Sequence, residues 1–268
     1  MRILLTEEQL SKLISEELGI ADKVSSESKK MYDVIVVDIT KHKQDFVKEK
    51  TFSTYTGSFS YRLFDIDIVG GYTVTNYYDK IYADSFGIES TGSSYYLGRN
   101  TFALNLYVPC VSGTIVKSVV MDTIQHELEH IYQQTMMKRS FGDTKAYNLM
   151  RNNFESDNPF VSKVARLVYG CMDGEQEGYV NGMYAYIIAW PGLYSMLLLK
   201  RTPCYKLYKE MCETFDELSS DERFDEEIKQ YGLTKNKIRK ALRTFGKRIA
   251  RTAAKAKRDK TMTQNFRI

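Results

Sequence analysis

The chain has 268 residues, 43% hydrophobic and 27% charged, with a net charge of +4, a composition that reads as soluble and globular with a core of real size. Its four cysteines (Cys110, Cys171, Cys204, Cys212) are scattered and form no CxxC pair, which excludes a disulfide framework and a cysteine zinc ribbon and points to a reducing compartment. Twenty tyrosines are read as semi-buried packing on strands and helix faces.

The opening MRILLTEEQLSKLISEEL (1–18) repeats apolar residues at helical spacing, with acids interrupting any signal-like apolar core. It predicts an amphipathic helix rather than a secretory leader, and a polar linker follows over 19–31. From about Tyr32 to Val111 the pattern predicts strands. YDVIVVDI (Tyr32–Ile39) is a β-branched run. SFSYRLFDIDIV (Ser58–Val69) alternates but slips by one residue, which predicts a bulge or bend, and Gly70-Gly71 is expected to close it. TFALNLYVPCV alternates cleanly, with Phe102, Leu104, Leu106 and Val108 on one side. Pro109 cannot donate to a ladder, so this strand is expected to end there or to lie at a sheet edge.

After Thr114 the signal is helical: a long helix near Ile115–Met137, then helices near Asp143–Asn152, Pro159–Gly170, Glu175–Ala189, Leu193–Leu199 and Tyr205–Glu217. Strands first and helices after is an α+β order, with a mostly antiparallel N-terminal sheet and a helical C-terminal half. The apolar run YAYIIAWPGLYSMLLL (Tyr184–Leu199) is short for a membrane span and is broken at Pro191-Gly192, so a buried helix pair is expected. With no leader and no span, a cytoplasmic location is expected. The domain is expected to cover 1–232, followed by a basic helical tail over 233–268.

That tail holds 13 of the 38 basic residues and a single acid, Asp259, so its net +12 leaves −8 on the rest. Ile238, Leu242, Phe245, Ile249 and Ala253 form an apolar stripe along it. The pattern is that of a helix docked by one face. Lys240, Arg243, Lys247, Arg248 and Arg251 on its basic side are candidates for contact with nucleic acid or another acidic partner.

The chemistry concentrates in DTIQHELEHIYQQ (Asp122–Gln134), which holds two of the three histidines. At about 100° per residue, His126, Glu127 and His130 share one face of a helix. Ile124, Leu128 and Ile131 fall on the other side, which is free to pack. Two imidazoles one turn apart can converge on one zinc ion, and the glutamate between them can reach a metal-held water as general base. The third histidine, His42, lies among lysines far upstream and reads as a surface residue.

HELEH resembles the active-site helix of the zincin metallopeptidases. The resemblance implies Zn2+ bound by His126 and His130, Glu127 as catalytic base, and a peptide or protein substrate. Glu129 departs from the stricter pattern, which keeps both residues before the second histidine uncharged. With no third histidine nearby, the resemblance is to the gluzincin-like branch, whose third ligand is a glutamate on a later helix. In DGEQEGYVNGMYAY (Asp173–Tyr186), Glu175 is preferred because Gly178, Gly182 and Ala185 line one side for close helix approach. Glu177 is the rival, with Asn181 at the position of a residue that supports a histidine ligand. The resemblance also implies an edge strand that pairs with substrate, and TFALNLYV is expected to supply it, with CVSG as the turn into the motif helix. The alternatives are a non-catalytic zincin-like binding protein, or a nucleic-acid-binding protein acting through the tail. The opening MRILLTEEQLSKLI resembles the starts of small bacteriophage proteins.

Overall fold

The computed structural model describes residues 24, 26–46, 53–63, 65–77, 90–135 and 145–265. The expected helix over 1–18 and residues 19–23 and 25 of the expected linker lie outside these residues, whereas 26–31, expected as polar linker, are helical. The chain divides into two compact units, Met1–Leu128 and Glu129–Ile268.

Among the described residues, the first unit is a five-stranded mixed sheet with helices. Its elements are α1 (26–41), α2 (Lys43–Phe46), β1 (Ser53–Leu63), β2 (Ile66–Tyr77), β3 (Gly92–Gly98), β4 (Thr101–Val111) and β5 (Thr114–Ile115), followed by α3 (Lys117–Thr135), which runs on into the second unit. The sheet order is β1-β2-β4-β3, with β5 pairing β4. β1–β2, β3–β4 and β4–β5 are antiparallel, but β2 and β4 run parallel. An antiparallel arrangement is therefore interrupted at its centre.

Four further sequence expectations are corrected. The β-branched run 32–39 is helical within α1. Met31, Tyr32, Ile35 and Ile39 are buried while Val34 and Val37 are exposed, a 3.6-residue period whose burial outweighs strand preferences of a few tenths of a kcal/mol per residue. Tyr61 donates to Glu27 at 2.6 Å and Tyr72 donates to Asp38, tying α1 to the sheet. The slip in SFSYRLFDIDIV is neither bulge nor bend within a strand but a hairpin, because Leu63 pairs with Ile66. Gly70-Gly71 lies inside β2 rather than closing it. A Cβ on Gly70 would strike the Leu104 carbonyl and the Phe59 ring, so the glycine lets Phe59 lie across the sheet. Finally, Pro109 neither ends β4 nor puts it at an edge. β4 is central, and Pro109 sits beyond the last β3 pairing (Gly92↔Leu106), where no ladder donor is needed.

One face of the sheet is apolar: Phe59, Leu63, Ile68, Tyr72, Val74, Phe102, Leu104, Leu106 and Val108 are all buried. Turns with left-handed residues set the β3–β4 and β4–β5 corners, Arg99-Asn100 (φ 51° and 57°) and Ser112-Gly113 (φ 49° and 72°), as two-residue hairpins demand. The second corner is the expected CVSG turn, and Asn76 Oδ1 accepts from the Gly113 amide at 2.8 Å.

The second unit is helical: α4 (Lys145–Asn153), α5 (Pro159–Gly170), α6 (Asp173–Ala189), α7 (Met196–Arg201), α8 (Pro203–Leu218), α9 (Phe224–Gln230) and α10 (Lys235–Asn265). Asn158 and Thr202 cap α5 and α8, each with proline in the first turn. α6 is buried on most sides and packs against α5, α7, α8 and α10. The expected pair broken at Pro191 exists as α6 and α7, but α7 is only half-buried, with Leu198 and Leu199 inside and Met196 and Leu197 exposed. No described helix is long and apolar enough to cross a membrane.

The basic tail is one 31-residue helix, α10, and its apolar stripe is buried as expected: Ile238, Leu242, Phe245, Ile249 and Ala253 are each at most 6% exposed. α10 runs beside α6 and holds it at both ends. Arg248 pairs with Asp173 and Glu177 in its first turns. Lys260, itself buried, donates to the carbonyls of Ile187 (2.8 Å) and Trp190 (2.5 Å) at its end. A cation at a helix C-terminus satisfies unpaired carbonyls and favours the dipole. Lys260→Met should cost about 1–3 kcal/mol by leaving those carbonyls buried and unbonded, a loss of several degrees in melting temperature. Thermal unfolding followed by fluorescence of Trp190, the sole tryptophan, checks it.

Candidate metal and catalytic site

Helix α3 passes unbroken through the border at Leu128/Glu129, so His126 and His130 ride one helix. Ile124, Leu128 and Ile131 are fully buried on its packing side. His126 and His130 remain partly exposed, while Glu127 is 7% exposed.

Glu127 is set by the sheet. Ser94 Oγ on β3 donates to its Oε2 at 2.8 Å, and Thr123, one turn earlier, reaches the Ser90 carbonyl at 3.2 Å. A Cβ on Gly92 would meet Thr123 Cγ2 at 2.7 Å and Glu127 Cγ at 2.8 Å, so β3 approaches α3 this closely only with glycine there. The strand beside the motif helix is thus β3, an edge strand among the described residues. The expected TFALNLYV strand is β4, paired on both sides and unable to accept an added strand along residues 101–106.

His126, His130 and Glu175 each offer a ligand atom, and these atoms lie within 4.8 Å of one another. His130 Nε2 stands 3.4 Å from Glu175 Oε2. That is longer than a charge-assisted hydrogen bond. It is close to the edge of about 3.3 Å between two ligands held about 2 Å from a tetrahedral zinc. The donor set, two imidazole nitrogens and one carboxylate oxygen, is one that zinc accepts. Glu175 itself is 5% exposed, and the Tyr169 hydroxyl hydrogen-bonds to it. Burial first, then the Glu175 charge, holds the Tyr169 phenol well above its usual range, so it stays a donor. Tyr147 is raised in the same way, by burial and then by Glu175.

Glu177, the rival third ligand, is engaged elsewhere. It accepts from Gln133 Nε2 at 3.1 Å and lies 3.5 Å from Arg248 Nη2. Gln133 also places its Oε1 3.3 Å from His130 Nδ1 and donates to the Gly174 carbonyl at 3.4 Å. An amide oxygen there favours the tautomer with hydrogen on Nδ1, leaving Nε2 as the lone pair toward Glu175. Asn181, expected to support a histidine ligand, instead hydrogen-bonds Glu129. Glu129 is buried, and burial, then the nearby Glu177 charge, push its carboxyl up to about 7. The departure at this motif position is therefore absorbed inside the protein.

His42, read as a surface residue, is half-buried and stacked on Tyr55 with ring centroids 5.1 Å apart. Of the tail cations, Lys240, Arg243, Lys247 and Arg251 are exposed, whereas Arg248 is committed to α6. Ser94, Gln133 and Tyr169 were not found from sequence. Gln133 alone carried a signal, since it follows His130 by three residues and so shares its face. The chain matches no family model, no curated protein and no solved structure.

One buried acid on α3 belongs to no ligand set. Asp122 is 5% exposed, and burial pushes its carboxyl from 3.8 up to about 8. The folded protein thus holds this proton more tightly than the unfolded chain. The group's contribution is most favourable below pH 4 and is lost as pH rises through the folded value near 8. Asp122→Asn should therefore raise the melting temperature at pH 8.5 and leave it nearly unchanged at pH 4, as calorimetry at the two pH values measures.

Proposed function

We propose that the chain is a zinc-dependent peptidase that hydrolyses peptide bonds, with His126, His130 and Glu175 as metal ligands and Glu127 as general base. The observation that supports this most is the meeting of Glu175, from a helix 45 residues on, with the two motif histidines. A helix that spelled the motif by accident has no reason to gather a third ligand of the right kind.

A zinc ion held there supplies Lewis acidity, bringing a water molecule's pKa toward about 7. The remaining work falls to the chain's own groups. Ser94 holds one Glu127 oxygen and so fixes the plane of the carboxylate beside the ligand histidines. Glu127 takes the proton of the attacking water and hands it to the departing amine. Gln133 orients His130, and Tyr169 orients Glu175. Edge strand β3, antiparallel to β4, can pair through its backbone with an extended peptide. Such pairing recognises peptide backbone in general, so the proposed substrate is an extended segment of polypeptide.

Purified protein should contain one zinc per chain by elemental analysis, and His126→Ala with His130→Ala should abolish it. Glu127→Gln should keep the metal and lose at least about 100-fold in hydrolysis of a peptide library. Protein that holds no metal, or holds it equally well without the histidines, overturns the reading. Gln133→Met should weaken zinc about 10- to 100-fold, as competition with a chromophoric chelator reports.

A further inference from the structure

Helix α10 carries twelve of the 38 basic residues and one acid. Its two faces are used differently. Ile238, Leu242, Phe245, Ile249, Ala253 and Ala256 are buried, and Arg248 and Lys260 are consumed in holding α6. At about 100° per residue, Lys240, Arg243, Lys247, Arg251 and Arg258 fall within an arc of about 80° on the opposite side, and all five are exposed. We propose that this row binds the phosphate backbone of double-stranded nucleic acid, independently of the metal site.

The spacing suits a polyanion. From Lys240 to Arg251 the steps are three and four residues, a rise of about 5–6 Å each, and the whole row covers about 27 Å. A duplex presents one phosphate charge per about 1.7 Å of axis with both strands counted, a linear charge density higher than that of the row, so phosphates are available along its whole length. Among the described residues, Lys240, Arg243, Lys247 and Arg251 have no ion pair, and Arg258 has only its neighbour Asp259, at 3.5 Å.

Three features select among anionic partners. The helix's apolar face is buried in its own unit, leaving nothing to insert into a lipid surface. The exposed face carries no aromatic residue, so it lacks the stacking platform by which proteins hold single strands. Contacts from lysine and arginine to phosphate position a duplex without reading bases, so binding is indifferent to sequence. Two acids oppose it: Asp259 beside Arg258, and Asp216 on α8, which shares a shallow groove with Arg239 and Arg243 and repels phosphate at that end of the row.

The test uses the full chain and a short fluorescently labelled duplex DNA, with anisotropy read between about 50 and 200 mM KCl. Four or five phosphate contacts predict a log–log slope against salt of about −4. The variant Lys240→Ala/Arg243→Ala/Lys247→Ala/Arg251→Ala should bind at least tenfold more weakly with a slope reduced by about 3–4, while its circular dichroism and melting curve match the parent's. Asp216→Asn should bind more tightly at low salt. The proposal is overturned if the fourfold variant binds like the parent. It is equally overturned if polyglutamate, or vesicles rich in anionic lipid, compete as well as unlabelled duplex at equal charge.

Discussion

The constraint on which this molecule turns is the burial of a polar helix. Along α3, Asp122, Gln125, Glu127, Glu129 and Gln133 are all at most 7% exposed. An unbonded buried polar group costs on the order of 1–3 kcal/mol, and a charge costs more. Two of these groups, Asp122 Oδ2 and Gln125 Oε1, are buried without a hydrogen-bond partner, so the helix depends on its surroundings to answer the rest. Ser94 answers Glu127, Asn181 answers Glu129, and Gln133 bridges His130, Glu177 and the Gly174 carbonyl. The apolar residues Ile124, Leu128 and Ile131 give the helix a reason to be inside at all. Without a function, apolar replacements at the same positions would be the simpler solution. The cost is concentrated where the two histidines are, which is where a metal ion would offset a buried carboxylate.

The same logic organises the second unit around α6. This helix brings Glu175 to the histidines, so its axial position has to be held. α10 does this from alongside. Arg248 meets the acids of the first turns, and Lys260, twelve residues later, meets the carbonyls at the far end. Twelve residues of rise separate the two clamps, about the separation of the α6 sites they grip. The two helices therefore run parallel and in step. Between the clamps, Tyr184 donates to Asp259 at 2.9 Å and Lys255 lies over the Tyr184 ring.

Much of this architecture was legible because burial leaves a periodic trace. The alternation in 101–108, the packing side of α3 and the stripe of α10 all follow from one-sided burial of a regular element. The failures share a cause as well. The run 32–39 has strand-forming composition, but its decisive feature is which residues face inward, Met31, Ile35 and Ile39 against Val34 and Val37. β3 went unseen because Tyr95, Tyr96 and Leu97 are all about half exposed, so no face of it alternates. The central place of β4 depends on a parallel neighbour about 35 residues earlier in the chain, and no local pattern encodes strand order.

In the site the division is sharper still. His126, Glu127 and His130 are related by helical geometry alone, so spacing suffices to place them together. Glu175 and Glu177 have equal local claims: both are near the start of the same helix, two residues apart, so they face about 200° away from each other. Only the direction from which α3 approaches separates them. Once Glu175 faces the histidines, Glu177 points toward Gln133 and Arg248 and becomes part of the scaffold that orients His130. The two carboxylates are therefore not competitors for one role. One can act on a metal ion directly and the other through Gln133, and the rotation of α6 that assigns the first role assigns the second with it.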